Sequence, residues 1–343
     1  MNFRIVLLGC FVVFPLVLTT CDDTSTEDES IVPANQSLKP DTLTYRRLFS
    51  ELSPFYNSIP TDAVIDPNSE AMVEGLISQA VDQAFLVVVK EWTSTVFFAD
   101  ASTPRETVSL TQDWAPFGSL KNVPIPEFAE PDPMEDAHMV IVDEINGCVY
   151  DFWETRHTTE GWKAGWGNAL PLASDGIFPQ GMSARGSGFE IMQGLIWPQE
   201  LEAGLIDHAL IFSYDLTRAG GPVTPATESD GESTGSNTIP EGALIRLNPD
   251  LDLSLLGLNR YETTIAVCLQ TYGMYCADDG GGLSLYAVNP LSVKTNPYEN
   301  IWGDETYIDM HKIPASEFQV MQMGEQMPDA PIDLVENSCA NFQ

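Results

Sequence analysis

The sequence predicts a mainly β fold, a β-sandwich or jelly roll with a few short helices. Many short runs are rich in aromatic and β-branched residues and end at polar or turn-forming residues, as strands do. Only two stretches carry apolar residues at helical spacing. The strand-like runs are 85–90, 94–98, 138–142, 148–153 and 208–214.

The two predicted helices have clear start or stop signals. Asn68 or Ser69 can cap the first amides of a helix whose apolar positions recur from Met72 onwards. A second helix is predicted over 260–272 and would end at Gly273. The polar, turn-rich segment 217–242 is too long for an ordinary connection, so it is a functional loop, a mobile excursion or a domain boundary, and we favour a mobile excursion. Strand-like sequence resumes directly after it, which favours one β-rich domain over 42–343.

Asn146 and Gly147 separate two alternating runs, which is the strongest short-range signal for a β-hairpin. A two-residue loop would pair Val142 with Asp151. A four-residue loop would shift the partners but keep the two faces, because the parity is unchanged. The predicted core face contains Met139, Ile141, Tyr150 and Phe152. The other face is unusual because it mixes acids, histidines and a tryptophan with valines: Asp136, His138, Val140, Val142, Val149, Asp151, Trp153, Thr155 and His157.

This mixed face favours a sugar-binding site. Trp153 offers a flat apolar platform for a pyranose ring, while carboxylates and imidazoles can bond hydroxyl groups or move protons. Asp136, His138 and Asp151 are therefore the candidate catalytic residues. The alternative is that Asp136 and His138 merely solvate the start of the strand. No cofactor is predicted, and no metal site, since Asp-x-His is common by chance.

Arg185 and His208 are further candidates for substrate binding. Arg185 lies in a loop of small residues in a chain with few basic residues, which suits a specific contact with a carboxylate of the protein or of a substrate. His208 opens a strand-like run, where a structural role is the alternative. Asp278 and Asp279 precede three glycines, and turn chemistry explains them better than calcium binding or catalysis does.

Residues 1–20 have the layout of a lipoprotein signal peptide. Arg4 precedes an apolar run, and small residues stand just before Cys21. Cys21 is therefore the predicted lipidation site, with 21–41 as a flexible acidic tether. The protein would be held on the periplasmic or cell-surface side of a bacterial membrane, inner or outer. An uncleaved anchor is disfavoured because the apolar run is shorter than the roughly 20 residues that span a bilayer.

Export and charge limit the partners of the protein. In an oxidising compartment the disulfide candidates are Cys148, Cys268, Cys276 and Cys339, and three pairings are open. The chain has 50 acidic and 15 basic residues, which disfavours nucleic acid as a partner, because that binding depends on Lys and Arg against phosphates. Motifs of serine hydrolases, nucleotide-binding loops and zinc proteases do not occur. The sequence does not predict an oligomeric state.

Several motifs together resemble an uncharacterised family of exported bacterial proteins. They are Ser53-Pro54-Phe55-Tyr56-Asn57-Ser58-Ile59-Pro60 with Asp66-Pro67-Asn68-Ser69, Asp136-x-His138-Met139 with Tyr150-Asp151-x-Trp153, Gly194-Leu195-Ile196-Trp197-x-x-Glu200 with His208-Ala209-Leu210, and Tyr272-Gly273-Met274 with Ala277-Asp278-Asp279-Gly280. The resemblance extends over 51–320, which implies one domain, and lends little function. Asp151 stands where a glutamate is expected, and 182–188 replaces a Ser-Ala-Asp-Ala-Ala-Gly-like run.

These observations predict an exported lipoprotein whose β-sandwich domain binds an extracytoplasmic polysaccharide and, if it is an enzyme, cleaves it. A glycoside hydrolase would use two carboxylates. A lyase would use His138 or His208 with a tyrosine, and Arg185 to neutralise a uronate, which the acidic surface disfavours. The alternative is a non-catalytic surface lipoprotein that binds a glycan or a protein. The enzyme hypothesis requires Asp136, His138, Asp151, Trp153 and His208 to converge in one open cleft.

Overall fold

Three β-sheets and three short helices build the part of the protein described by a computed structural model, which comprises residues 30–82, 85–179, 182–328 and 334–343. The fold is mainly β, as the sequence predicts. The helices are α1 (Ser69–Asp82), α2 (Pro198–Ala203) and α3 (Arg260–Thr271). The first strands are β1 (Phe85–Val88), β2 (Ser94–Phe98), β3 (Arg105–Leu110), β4 (Ser119–Pro124), β5 (His138–Asp143), β6 (Cys148–Trp153), β7 (Arg156–Thr158), β8 (Gly161–Ala164) and β9 (Trp166–Pro171). The remaining strands are β10 (Leu210–Tyr214), β11 (Leu244–Leu247), β12 (Met274–Asp279), β13 (Leu283–Tyr286), β14 (Tyr307–Asp309) and β15 (Phe318–Val320).

The largest sheet has seven strands in the order β14-β1-β13-β10-β12-β11-β15 and mixes parallel with antiparallel pairs. A second sheet has the order β2-β5-β6-β9, and a third has the order β4-β3-β8-β7. Parallel neighbours need long crossovers. β1 and β13, for example, are parallel neighbours although the chain between them runs from Val88 to Leu283.

Three hydrophobic cores lie between these layers. The first joins α1 and α3 to one face of the seven-stranded sheet, the second joins the other face to the second sheet, and the third joins the second sheet to the third. Strand alternation explains the division: Phe212 of β10 packs in the first core and Ile211 in the second. Likewise Val140 of β5 packs in the second core and Ile141 in the third. The result is a layered sandwich with helices on its outer side.

The predicted hairpin forms with a four-residue loop, because Asp143 pairs with Cys148 and Val140 with Asp151. The predicted two-residue loop is wrong, but the two faces are as predicted along β5 and β6. Beyond Trp153 the prediction fails, because the chain leaves this sheet and His157 lies in β7 of the third sheet, stacked on Trp162. The mixed face is covered by the second core along most of its length. It is open only at the end of the hairpin that carries Asp136, His138 and Trp153.

Two segments predicted to be mobile pack against the body of the protein. The tether was expected to extend to residue 41, yet Lys39 is buried and forms an ion pair with Glu130. In 217–242, the Thr217 side chain is fully buried and the segment forms bridges within itself. Satisfied backbone groups and buried side chains make this excursion part of the folded domain.

The predicted signal peptide (1–20) and the predicted lipidation site Cys21 lie outside the described residues. Within those residues, no helix combines the length and the apolar character needed to cross a bilayer. Lipid attachment at Cys21 therefore stays a prediction.

One of the expected disulfide bonds is present. Cys148 of β6 is bonded to Cys339, with the two Cα atoms 5.6 Å apart. Cys268 and Cys276 are buried free thiols in the first core, so a second disulfide between them is wrong. Both act there as small apolar side chains.

Candidate functional site

A cavity of about 780 Å³ opens where the seven-stranded sheet meets one end of the second sheet. Strands alternate their side chains between faces. Residues of β1, β10 and β13 that point away from the helices therefore form one wall of the cavity, and they include Leu86, Ser213 and Tyr286. The opposite wall comes from the start of β5 and the end of β6.

A β-bulge directs Asp278 into this cavity. The pairing of β10 with β12 runs from Phe212 opposite Cys276 to Ser213 opposite Asp278, so Ala277 is an extra residue on β12. A bulge turns the following side chains relative to the regular alternation. Asp278 consequently lies beside Ser213 on the cavity face instead of in the first core.

Asp136, His138 and Trp153 form the opposite wall, as the hairpin faces predict. The indole Nε1 of Trp153 donates a hydrogen bond to Oδ1 of Asp136 at 3.2 Å. Nδ1 of His138 lies 3.4 Å from the carbonyl oxygen of Phe152, which fixes the plane of the imidazole. Three of the predicted site residues thus lie together at the cavity.

The imidazole of His138 is held in its neutral form. Burial lowers the pKa of His138 to about 4, and the nearby guanidinium of Arg185 acts in the same direction, while the carboxylate of Asp136 opposes them. A neutral imidazole can both donate and accept a hydrogen bond. His138 is therefore suited to contact hydroxyl groups over the neutral pH range.

Arg185 also lines the cavity, but its guanidinium is mostly engaged by the protein. Only 6% of the residue is exposed, and Nη2 donates to the carbonyl oxygen of Ile191 at 3.0 Å. Nη1 lies 3.5 Å from the carbonyl oxygens of Glu190 and Gln193. Nε is 4.0 Å from Oδ2 of Asp278. Arg185 thus organises its loop and adds one positive charge beside an acidic wall.

Glu228 ties the 217–242 segment to this loop. Its two carboxylate oxygens accept hydrogen bonds from the amides of Met182 and Ser183, each at 2.9 Å. Burial raises the pKa of Glu228 to about 7, although these amide donors oppose the shift. The segment that looked like a surface excursion therefore closes one side of the cavity.

Exposed aromatic rings stand around the opening. Trp92 is 38% exposed and Trp114 is 50% exposed, while Trp153 is half-buried. Beneath them Trp166 is buried and packs on Trp114 with ring centroids 5.4 Å apart. Buried Asp132 accepts hydrogen bonds from the amides of Trp92 and Thr93, which holds that corner of the opening.

The cavity is acidic. Its lining includes the carboxylates Asp136, Glu228, Asp230, Asp278 and Asp279, against the single guanidinium of Arg185 among the described lining residues. Burial raises the pKa of Asp278 well above its usual value, and the neighbouring charge of Asp230 adds to the shift. The raised pKa values favour protonated carboxyl groups, which can donate hydrogen bonds to hydroxyl groups, while the lining offers an anion little positive charge.

Unusual backbone conformations cluster at the same place. Non-glycine residues rarely adopt positive φ, and such residues recur at functional sites. Within the described chain five do so, and four of them lie in or directly beside the lining: Trp92 (φ 58°), Ala137 (φ 42°), Glu154 (φ 52°) and Met182 (φ 66°). Ala137, Glu154 and Met182 are each next in sequence to a residue that lines the cavity.

Asp151 and His208 do not reach this cavity. Asp151 is fully buried, and its Oδ2 accepts a hydrogen bond from the amide of Ile191 at 2.9 Å. His208 is buried elsewhere, with Nε2 3.0 Å from Oε1 of Glu200. The structure therefore does not bring these two residues, predicted to be catalytic and substrate-binding, together with Asp136, His138 and Trp153. Both side chains are buried in contacts with other parts of the protein.

Sequence reasoning missed Glu228, Asp230, Tyr286 and Trp92. The first two lie in the segment 217–242, where its unusual length was the available signal. Tyr286 and Trp92 carried no signal, because a single aromatic residue beside a strand usually belongs to the core.

No family model, curated protein or solved structure matches this chain. The resemblance to exported bacterial proteins therefore stays a prediction. A function has to be argued from the cavity itself, from its rings, charges and hydrogen-bonding groups.

Proposed function

We propose that the cavity binds a short segment of a neutral polysaccharide. The observation that carries this proposal is the meeting of exposed tryptophan rings with carboxylates and a neutral imidazole in one open cavity. Sugars present apolar ring faces and many hydroxyl groups, so they need aromatic platforms and hydrogen-bond acceptors together. A volume of about 780 Å³ lies within the usual range of ligand sites.

Trp153 is the proposed platform. Its hydrogen bond to Asp136 holds the ring in one orientation before a ligand arrives, which lowers the entropic cost of binding. His138 and Oδ2 of Asp136 would contact hydroxyl groups of a sugar stacked on this ring, since all three residues line the same part of the cavity. Trp92 and Trp114 would extend the contact along the opening.

The charge of the cavity favours an uncharged or cationic glycan over a uronate. The lining combines acidic groups with a single guanidinium, so it offers a uronate carboxylate little positive charge. Arg185, which a lyase would use to neutralise the uronate, already donates to backbone carbonyl groups. The lyase alternative is therefore less supported than binding or hydrolysis.

Hydrolysis of the bound glycan is the second candidate function. The convergence of five residues that the sequence-based hypothesis required is not met, because Asp151 and His208 lie outside the cavity, so hydrolysis would need a different pair of carboxylates. Hydrolysis is favoured by the presence of carboxylates on facing walls, Asp136 on one and Asp278 on the other. Glycosidases place two carboxyl groups about 5–5.5 Å apart for retention and about 6.5–9.5 Å apart for inversion. Asp136 would be one of the two groups, with neutral His138 beside it.

A glycan array followed by calorimetric titration tests the binding proposal. We expect a neutral polysaccharide or its oligosaccharides to bind, and Trp153→Ala to weaken the binding by up to about a hundredfold. Trp302→Ala is the matched control, because Trp302 is also partly buried and packs against the first core away from the cavity. Absence of binding to every neutral glycan on the array would overturn the proposal.

An assay for new reducing ends on the glycans that bind tests hydrolysis. We expect Asp136→Asn to remove the activity while leaving binding measurable, since the amide still offers an acceptor for Trp153. Binding without any product would leave the non-catalytic function and rule out the hydrolase.

We also propose that the protein is exported and lipidated at Cys21. The disulfide between Cys148 and Cys339 supports an oxidising compartment. Labelling with a palmitate analogue in a bacterial host should mark the wild type and not Cys21→Ala. Equal labelling of both would contradict the proposal.

A further inference from the structure

Three carboxylates from separate parts of the chain meet in the wall of the cavity. Two belong to Asp230 and Glu241 of the 217–242 segment, and the third belongs to Asp278 of β12. One oxygen from each residue lies within 4.8 Å of an oxygen from each of the others. Asp230 and Asp278 line the cavity, so the group is reached from it.

Glu241 is the member that requires a partner. Its side chain is fully buried, with 0% of the residue exposed. Oε2 accepts a hydrogen bond from the amide of Asp230 at 3.1 Å, but Oε1 has no hydrogen-bond partner among the described residues. A buried carboxylate oxygen without a partner is costly, and buried charges are normally paired or coordinate metals.

Gly186 leaves room for the carboxylate of Asp230 beside its backbone. A Cβ atom on Gly186 would lie 2.6 Å from Cγ of Asp230, so any larger residue there would displace this carboxylate. Arg185 offers partial compensation, with Nε 4.0 Å from Asp278, but its other donors are directed to carbonyl groups. Three acidic groups therefore share less than one positive charge.

We propose that Asp230, Glu241 and Asp278 bind one divalent cation of the Ca²⁺ type. Ligands that are all carboxylate oxygens suit hard cations, and they disfavour zinc or copper, which prefer nitrogen and sulfur. Ca²⁺ takes six to eight oxygen ligands, so three carboxylates would leave positions for water or for hydroxyl groups of a ligand in the cavity. The cation site is argued from these three side chains and does not depend on saccharide binding, although the hydrolysis candidate also uses Asp278.

The test uses the full protein after treatment with EDTA and removal of the chelator. Calorimetric titration with CaCl₂ and luminescence of added Tb³⁺, sensitised by the neighbouring Tyr286 and tryptophans, should both report one site. Asp230→Asn should weaken Ca²⁺ binding by at least about tenfold, as should Asp278→Asn. Glu232→Gln is the matched control, because this exposed acid of the same segment is outside both the cavity lining and the group of three.

Glu241→Gln gives a further check on the same site. It keeps the size of the side chain and should also lower the affinity, while thermal unfolding in EDTA reports whether the variant folds. If Glu241→Gln does not fold, Asp230→Asn decides the question, because Asp230 is exposed and outside the core.

Two outcomes would overturn the proposal. The first is that Ca²⁺, Mg²⁺ and Mn²⁺ all fail to bind the wild type at millimolar concentrations, which would mean that a proton shared between the carboxyl groups satisfies Glu241. The second is that binding persists undiminished in both Asp230→Asn and Asp278→Asn. Either result leaves the saccharide proposal untouched, since that is measured with Trp153 variants.

Discussion

The indole N–H of Trp153 donates to the carboxylate of Asp136 across 3.2 Å, and both side chains line the same cavity. The bond joins the last residue of β6 to the residue two positions before β5. The hydrogen bond therefore couples the orientation of the Trp153 ring to the position of the Asp136 carboxylate.

Substitutions at Trp153 separate the ring from its hydrogen bond. Trp153→Phe keeps an aromatic face and loses the donor, so we expect saccharide affinity to fall by about tenfold or less, the worth of one hydrogen bond. Trp153→Ala removes the platform as well and should cost up to about a hundredfold. Calorimetric titration with the bound glycan measures both. Equal losses in the two variants would show that the ring face is not the platform.

His138 should titrate at an unusually low pH. Burial lowers its pKa to about 4, and the charge of Asp136 opposes that shift. Asp136→Asn should therefore move the titration of His138 to a still lower pH. The chain has four histidines, so their ring signals can be assigned and followed by NMR between pH 3 and 8. A titration of His138 near the ordinary value of about 6.5 would contradict the burial seen at this wall.

Asp151 and Glu190 should make the protein less stable as the pH rises. Burial raises the pKa of Asp151 to about 7 and the pKa of Glu190 well above its usual value. The folded protein holds these protons more tightly than the unfolded chain, whose carboxyl groups titrate at about 4. The contribution to the free energy of unfolding is thus fully present below pH about 4 and is lost as the pH rises towards about 7.

Asp151→Asn isolates this effect, because the amide can still accept from Ile191 and can donate to Glu190. Thermal unfolding from pH 5 to 8 should show a smaller decline for Asp151→Asn than for the wild type. His138 acts in the opposite direction at low pH, so the comparison between variants matters more than either profile alone. Glu325→Gln, at an exposed position, should keep the slope of the wild type. Parallel profiles for Asp151→Asn and the wild type would disprove the effect.

The alternation of residues along the hairpin predicted which side chains share a face, but not what covers that face. Periodicity is a local property, so it correctly grouped Asp136, His138 and Trp153. The cover comes from a distant segment, whose Ile191 amide bonds Asp151 and buries it. Only the end of the strand pair escapes this cover, and that distinction depends on the tertiary fold.

The acidic wall could not be predicted for a related reason. Asp278 was assigned to a turn, because two acids before three glycines are typical of one. The structure extends β12 to Asp279 and places a bulge before Asp278, which depends on the pairing with β10. Glu228 and Asp230 reach the cavity from a polar segment whose composition is that of any surface loop. Long-range packing, with no local signature, brings these residues together.

Loss of the disulfide bond should destabilise the protein and loosen one end of the cavity. Cys148 and Cys339 are 191 residues apart, so the bond restricts a long loop in the unfolded chain. We expect Cys339→Ser to lower the free energy of unfolding by about 2–4 kcal/mol. The bond also holds the C-terminal segment, in which Phe342 stacks on Trp166 of the cavity floor with centroids 5.6 Å apart. Saccharide affinity should therefore fall together with stability.

Urea unfolding with and without dithiothreitol measures this effect. The reductant should destabilise the wild type and leave Cys339→Ser unchanged. Cys268→Ser is the control, because Cys268 is a free thiol, and this variant should respond to dithiothreitol as the wild type does. If dithiothreitol acts on Cys339→Ser but not on Cys268→Ser, the pairing would involve Cys268, and the C-terminal segment would be held by packing alone.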